Sequence, residues 1–279
     1  MGYSPIPRYA SLILAAVLTA CVNLKEVREY SAQAAQLTSY PELTQRWVDT
    51  YPRSRHYMNE REIVQGKAED AGRREVHQDA LKIHETVALY FAVLGKLAGD
   101  DTFSVSSNLD DLSKQIRTSK VLGIEQKQVD AYTNIVKVVS TWMVGAYQQQ
   151  QVARMIEQGN ASLQTLLEAM RYMARIYAGT LRNERSAADN LLLVAKTGPQ
   201  DRIIAMLASA EHARISSELN AAEKRLKALD AALVKIAGAH QKLYDSRGDI
   251  DRAELQAFLK SINKDLKVLN NQIKTLKEV

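Results

Sequence analysis

At 279 residues, with 46% hydrophobic and 25% charged side chains, the chain is long enough for one large folded domain, and its composition excludes a disordered polymer. The net charge of +5 is small and mixed in sign along the sequence, which excludes a protein that holds nucleic acid on a basic surface. Five prolines and twelve glycines are few, and a single cysteine leaves no intramolecular disulfide, so an all-α chain of long helices is predicted.

The first eight residues carry one positive side chain, Arg8, and residues 9–20 are uncharged and largely apolar. That run is shorter than the about 20 residues a helix needs to cross a bilayer, and charge followed by a short apolar run is the order of a secretory signal peptide. It ends in Leu18-Thr19-Ala20-Cys21. This tetrapeptide resembles the lipobox of bacterial lipoproteins, in which an aliphatic residue and two small ones precede a cysteine. The resemblance covers the first twenty-one residues. It implies export, cleavage between Ala20 and Cys21, and covalent lipid on the Cys21 thiol as the only added group. Each buried methylene contributes about 0.8 kcal/mol, so two or three acyl chains make a stable membrane anchor. Val22, where an aspartate would be the retention signal, implies the outer membrane with the protein facing the periplasm.

Residues 21–59 read as a tether with short helices. Lys25 to Thr38 is predicted helical, Pro41 suits the first turn of a helix carrying Leu43, Trp47 and Val48, and Pro52 is expected to end it, leaving 53–59 as a loop. From Glu60 to Ala98 the pattern is helical, charged first and then apolar, with Gly99-Asp100-Asp101 closing it. Val105 to Asn108 offers caps for a shorter helix through Leu109, Leu112 and Ile116. A helix is predicted over 125–158, a turn at Gly159-Asn160, and a second helix over 161–196 in which Thr180 and Glu184 interrupt a coiled-coil seam. Gly198-Pro199 ends it. A helix of more than forty residues follows, with Ile215, Leu219, Ala222, Leu226, Leu229, Leu233, Ile236, His240 and Leu243 at alternating steps of four and three, and Arg247-Gly248-Asp249 makes the next turn. The last helix carries an uninterrupted seam: Leu255, Leu259, Ile262, Leu266, Leu269, Ile273 and Leu276.

Seams on consecutive helices joined by short turns predict an elongated antiparallel helical bundle with coiled-coil-like hairpins, spanning residues 60–279. The 125–158 and 161–196 helices form one hairpin and the last two helices another. The final seam is the candidate face for a partner helix, in an envelope protein or a second copy of the chain.

Candidate chemistry is sparse. His77 and His84 stand seven apart, too far to share a metal, and His212 and His240 fall near a seam, where a polar residue sets register. Met143, Tyr147, Met155, Met170, Tyr172, Met173 and Tyr177 cluster where two helices face each other and are expected to pack as core rather than line a pocket. No phosphate loop or nucleophile elbow occurs. The expected function is a non-enzymatic scaffold or adaptor, lipid-anchored in the cell envelope. Two alternatives are a ligand-sensing or toxin-inhibiting binding module and a membrane-remodelling or pore-forming helical protein.

Overall fold

A computed structural model describes residues 24–38, 40–99, 114–143, 149–198 and 201–275. Ala20, Cys21 and Leu276 lie outside them, as do Asp100, Asp101, the capping residues expected at 105–108, Leu109 and Leu112. The chain is an all-α bundle. Its helices are α1 (Lys25–Thr38), α2 (Pro41–Val48), α3 (Thr50–Ser54), α4 (Glu60–Leu97), α5 (Gln126–Trp142), α6 (Gln149–Thr197), α7 (Arg202–Asp245) and α8 (Ala253–Thr275), with a 3-10 turn at Arg55–Tyr57 after α3. Among the described residues the one extended pairing is an isolated bridge between Ser119 and Ile124.

Local chemistry explains several boundaries. Asn59 caps α4 by accepting from the Glu62 amide, and the Glu62 carboxylate accepts from the Asn59 amide in return. Asp201 caps α7 by accepting from the Ile203 amide. Pro52 does not end a helix. It sits in the first turn of α3, where a missing amide hydrogen costs nothing, so the expected loop at 53–59 opens with helix instead.

The turn expected at Gly159-Asn160 is absent. α6 runs unbroken through both residues for 49 positions, about 73 Å at 1.5 Å per residue. The break falls between Trp142 and Gln149, so the hairpin partners are α5 and α6 with a boundary well before the predicted one. Glycine at 159 answers to packing rather than to chain reversal. A Cβ there would stand 2.5 Å from Cε2 of Tyr90 on α4. Asn160 turns its amide inward to a buried histidine.

α6 and α7 pair antiparallel as the spine, and one hydrophobic core runs along it from Leu24 to Leu266. α1, expected beside a tether, lies within that core, with Val27, Tyr30 and Ala34 fully buried against α4, α7 and α8. Tyr30 donates to the Ile236 carbonyl (2.8 Å), Asn263 donates to the Glu26 carbonyl (3.2 Å), and Asn270 donates to Gln36 (2.6 Å). From α1 the chain advances along the spine: Tyr40 reaches Met170, Arg46 reaches Glu184 and Glu218, and Tyr57 reaches Glu211. The start of α1 and the α6–α7 turn therefore stand at opposite ends. Ile236, level with Tyr30, is 34 residues from Arg202, about 50 Å.

Candidate functional site

The final seam is already occupied. Leu255, Leu259 and Leu266 are buried, and Ile262, Leu269 and Ile273 are half-buried against the core, because α1 and α7 fill the face of α8 that the pattern marks as open. Sequence periodicity reports that a face is apolar without reporting who covers it, so the seam is corrected from a partner face to an internal one.

Two buried polar clusters hold the helices in register. On α7, His240 is fully buried between Tyr90 of α4 and Asn160 of α6. The Asn160 carbonyl oxygen can only accept, so Nδ1 of His240 carries the proton (2.8 Å) and Nε2 accepts from the Tyr90 hydroxyl (2.9 Å). Gln241 and Gln164 complete the network around the Asn160 amide. Burial pulls the His240 pKa down to about 3, which fixes the neutral ring these bonds require. On α4, His84 is likewise buried and drawn down to about 3, its ring against Tyr40 with centroids 4.0 Å apart. Thr44 stands 3.2 Å from His84 Nε2 and 3.2 Å from the Tyr177 hydroxyl. A hydroxyl beside an imidazole is how a nucleophile is activated, but Thr44 is fully buried and lines neither groove described below. The pair is packing.

Glu184 and Thr180, which interrupt the α6 seam, mark the face where α2 and α3 dock. Trp47 donates its indole N–H to Thr180 and stacks on Tyr177 at 5.0 Å. Glu184 is buried and takes Arg46 at 3.0 Å and Arg53 at 3.1 Å. Glu184→Gln is expected to destabilise the fold by about 1–2 kcal/mol, less than a fully buried pair, since both guanidinium groups remain partly solvated and Arg46 keeps Glu218. Urea unfolding at pH 7 measures it, and a loss under about 0.3 kcal/mol would mark the cluster as energetically idle.

Of the Met and Tyr group, Met155, Met170, Met173 and Tyr177 are core, Met143 is half-buried, Tyr147 lies outside the described residues, and Tyr172 is 44% exposed. The grooves lie elsewhere. One, about 300 Å³, runs between α6 and α7 over a floor of Ala174, Ala178 and Leu226 and is rimmed by Arg175, Arg182, Arg185 and Lys227. The other, about 380 Å³, lies where the 3-10 turn meets the spine, among His56, Tyr57, Ala188, Arg214 and Ile215. There the Tyr57 hydroxyl donates to Glu211 at 2.7 Å, and burial with that bond raises its pKa to about 12. Arg214 and Tyr57 together hold the Glu211 carboxyl down at about 2.

Past that second groove the described part of the spine exposes apolar side chains. Seven of the thirteen large apolar side chains exposed among the described residues fall between 191 and 207: Leu191, Leu193, Val194, Ile203, Ile204, Met206 and Leu207, at 42–68% exposure. Such concentration distinguishes a patch from the scattered apolar residues of any surface. Composition at the hairpin end carried this signal, in Leu191-Leu-Leu-Val194 and Ile203-Ile-Ala-Met-Leu207, but a run of apolar residues reads first as core.

Among the described residues no group of three His, Cys, Asp or Glu side chains is placed to hold a metal, and no helix is long and apolar enough to cross a membrane. No protein-family model, curated protein or solved structure matches the chain.

Proposed function

We propose that the protein is a lipid-anchored, non-enzymatic scaffold or adaptor of the bacterial cell envelope, held at the membrane through Cys21 and presenting its α6–α7 hairpin end to a partner. The observation that carries this reading is polarity of form. The described chain begins at Leu24, six residues before Tyr30, and the exposed apolar patch lies about 50 Å or more away at the other end of the spine. A lipid anchor near the first end leaves the second free to dock. Anchoring is tested with Cys21→Ser in a bacterial host, by palmitate labelling and membrane fractionation. The wild type is expected to take up label and sediment with membranes, and the variant to lose the label and appear in the soluble fraction. An unlabelled wild type sinks the proposal.

A second reading, a ligand-binding module, draws on the Arg-rimmed groove. Its four cations face two carboxylates, Glu223 and Asp230, over an alanine floor, which suits an anionic amphiphile. Saturable binding of a fatty-acid probe, abolished by Arg175→Ala with Arg182→Ala, would favour it over scaffolding.

A further inference from the structure

Elsewhere on the described surface, charged side chains commonly find their opposite one helical turn away: Arg74 beside Asp70, Lys227 beside Glu223, Arg214 beside Glu218 and Lys25 beside Glu29. The outer flank of α8 is built differently. Lys260, Lys264, Lys267 and Lys274 follow one another at steps of four, three and seven, which sets them on one exposed stripe about 21 Å long. Two of those steps put like charges on neighbouring turns, an arrangement that weakens a helix. Lys267 has a carboxylate, Glu29 of α1, at 3.7 Å, which Lys25 shares. Lys260, Lys264 and Lys274 have no ion-pair partner among the described residues. The acids of α8 are engaged off the stripe: Asp265 holds Lys235 of α7 at 2.7 Å, and Glu254 pairs with Arg252 at the helix start.

The stripe also lies next to where the described chain begins. Asn263 of α8 donates to the Glu26 carbonyl, so the first turn of α1 stands beside Lys260 and Lys264. Leu24 is three residues from Cys21, a span of at most about 11 Å.

We propose that the α1–α8 flank is a docking surface for an anionic lipid bilayer, whose headgroups the lysine stripe meets. The choice of a bilayer over another polyanion rests on the anchoring reading above, which it deepens by giving the anchored protein an orientation. Charge selects an anionic surface: near one, each lysine contributes about a fivefold gain in binding, and an acyl anchor joined to a basic patch holds more firmly than either does. Position selects lipid: acyl chains on Cys21 bring a bilayer within about 11 Å of Leu24, so the surface nearest the stripe is a membrane. Val268, one turn from Lys264 and 56% exposed, adds an apolar contact at the same level. Because α8 packs along α7, contact over the whole stripe lays the spine along the membrane, where Cys21 alone leaves it free to stand.

The test uses the chain from residue 21 carrying Cys21→Ser, which keeps every described residue and has no lipid of its own. Cosedimentation is measured with vesicles of phosphatidylglycerol and phosphatidylcholine in equal parts, and with phosphatidylcholine alone. Binding is expected to the first and not to the second, and falls as salt rises. Lys260→Gln, Lys264→Gln and Lys274→Gln together should weaken it about 100-fold and leave the thermal melt unchanged, since all three side chains are exposed. Lys120→Gln, Lys127→Gln and Lys137→Gln remove the same charge from exposed positions on and before α5, which packs on α4 and α6, and should leave binding nearly unchanged. A solvent-sensitive fluorophore on Val268→Cys should shift to the blue on the anionic vesicles, and one on Lys127→Cys should not. Failure to bind the anionic vesicles overturns the proposal, whether or not soluble polyphosphate binds instead. So does equal binding to phosphatidylcholine, which assigns the contact to exposed apolar side chains, or an equal loss in the two triple variants. Because this chain is unlipidated, failure here refutes the stripe alone, whereas an unlabelled Cys21 refutes the anchor.

Discussion

Acidification from pH 7 to pH 5 is expected to weaken the fold by about 4 kcal/mol, with two protons bound for each molecule that unfolds. The protons go to His84 and His240. Both are fully buried and neutral, with folded pKa values near 3 against 6.5 for a free imidazole. A lowered folded value means the unfolded chain binds protons that the folded chain refuses, so stability is complete above pH 6.5. It falls as pH drops from 6.5 towards 3, at about 1.36 kcal/mol per pH unit for each ring. Carboxylates such as Glu211 add loss of the same sign only at lower pH, so the window from 6.5 to 5 isolates the histidines. Urea titrations at half-unit intervals measure the slope. The double variant His84→Gln, His240→Gln should remove most of it, leaving the smaller contribution of His77, whose pKa partial burial also lowers, and a wild-type uptake of fewer than one proton across that window removes the explanation.

Replacing Gly159 by alanine is expected to destabilise the protein by about 2–4 kcal/mol, although alanine in a helix interior is ordinarily worth about 1 kcal/mol more than glycine. The added methyl meets Tyr90 at 2.5 Å from Cε2 and 2.9 Å from the hydroxyl. That ring has nowhere to go. It is fully buried, edge-on to Phe91 with centroids 5.5 Å apart and bonded to His240, so relief means breaking the bond and leaving two buried polar atoms unpaired. Gly238, also mid-helix, has no atom within 4 Å of a built Cβ, and Gly238→Ala should instead stabilise by about 0.5–1 kcal/mol. Opposite signs at the two glycines, read from urea midpoints, are the decisive result. Tyr90→Leu should abolish most of the penalty at 159; an additive double mutant would mean the clash is not its cause.

The helices themselves were legible because periodicity and caps are local properties: α1, α4, α7 and α8 begin and end within a few residues of where their apolar spacing predicts. What misled the reading was residue type without context. Gly159-Asn160 carries the composition of a turn, yet the glycine makes room for Tyr90 and the asparagine orients His240, both contacts with partners 69 or more residues away. Thr180 and Glu184 looked like flaws in a seam; they are the sites where Trp47 and two arginines dock. His240 was expected to set register, and its three-helix network supplies the physical means. The exposed end was hidden by its own strength, since an apolar run reports burial unless the covering element is known to stop short. Cys21 is read from sequence alone.

The contacts of α1 also dictate an order of events. Its walls are α4, α7 and α8, and Tyr30 and Asn263 close loops of about two hundred residues or more. α1, which leaves the ribosome well before α8, thus waits for it. Closing such distant contacts is slow, and until α8 arrives α1 has no complete site to occupy. A chain with this wiring leaves α1 loosely held while synthesis continues, and loss of α8 unravels α1 as well.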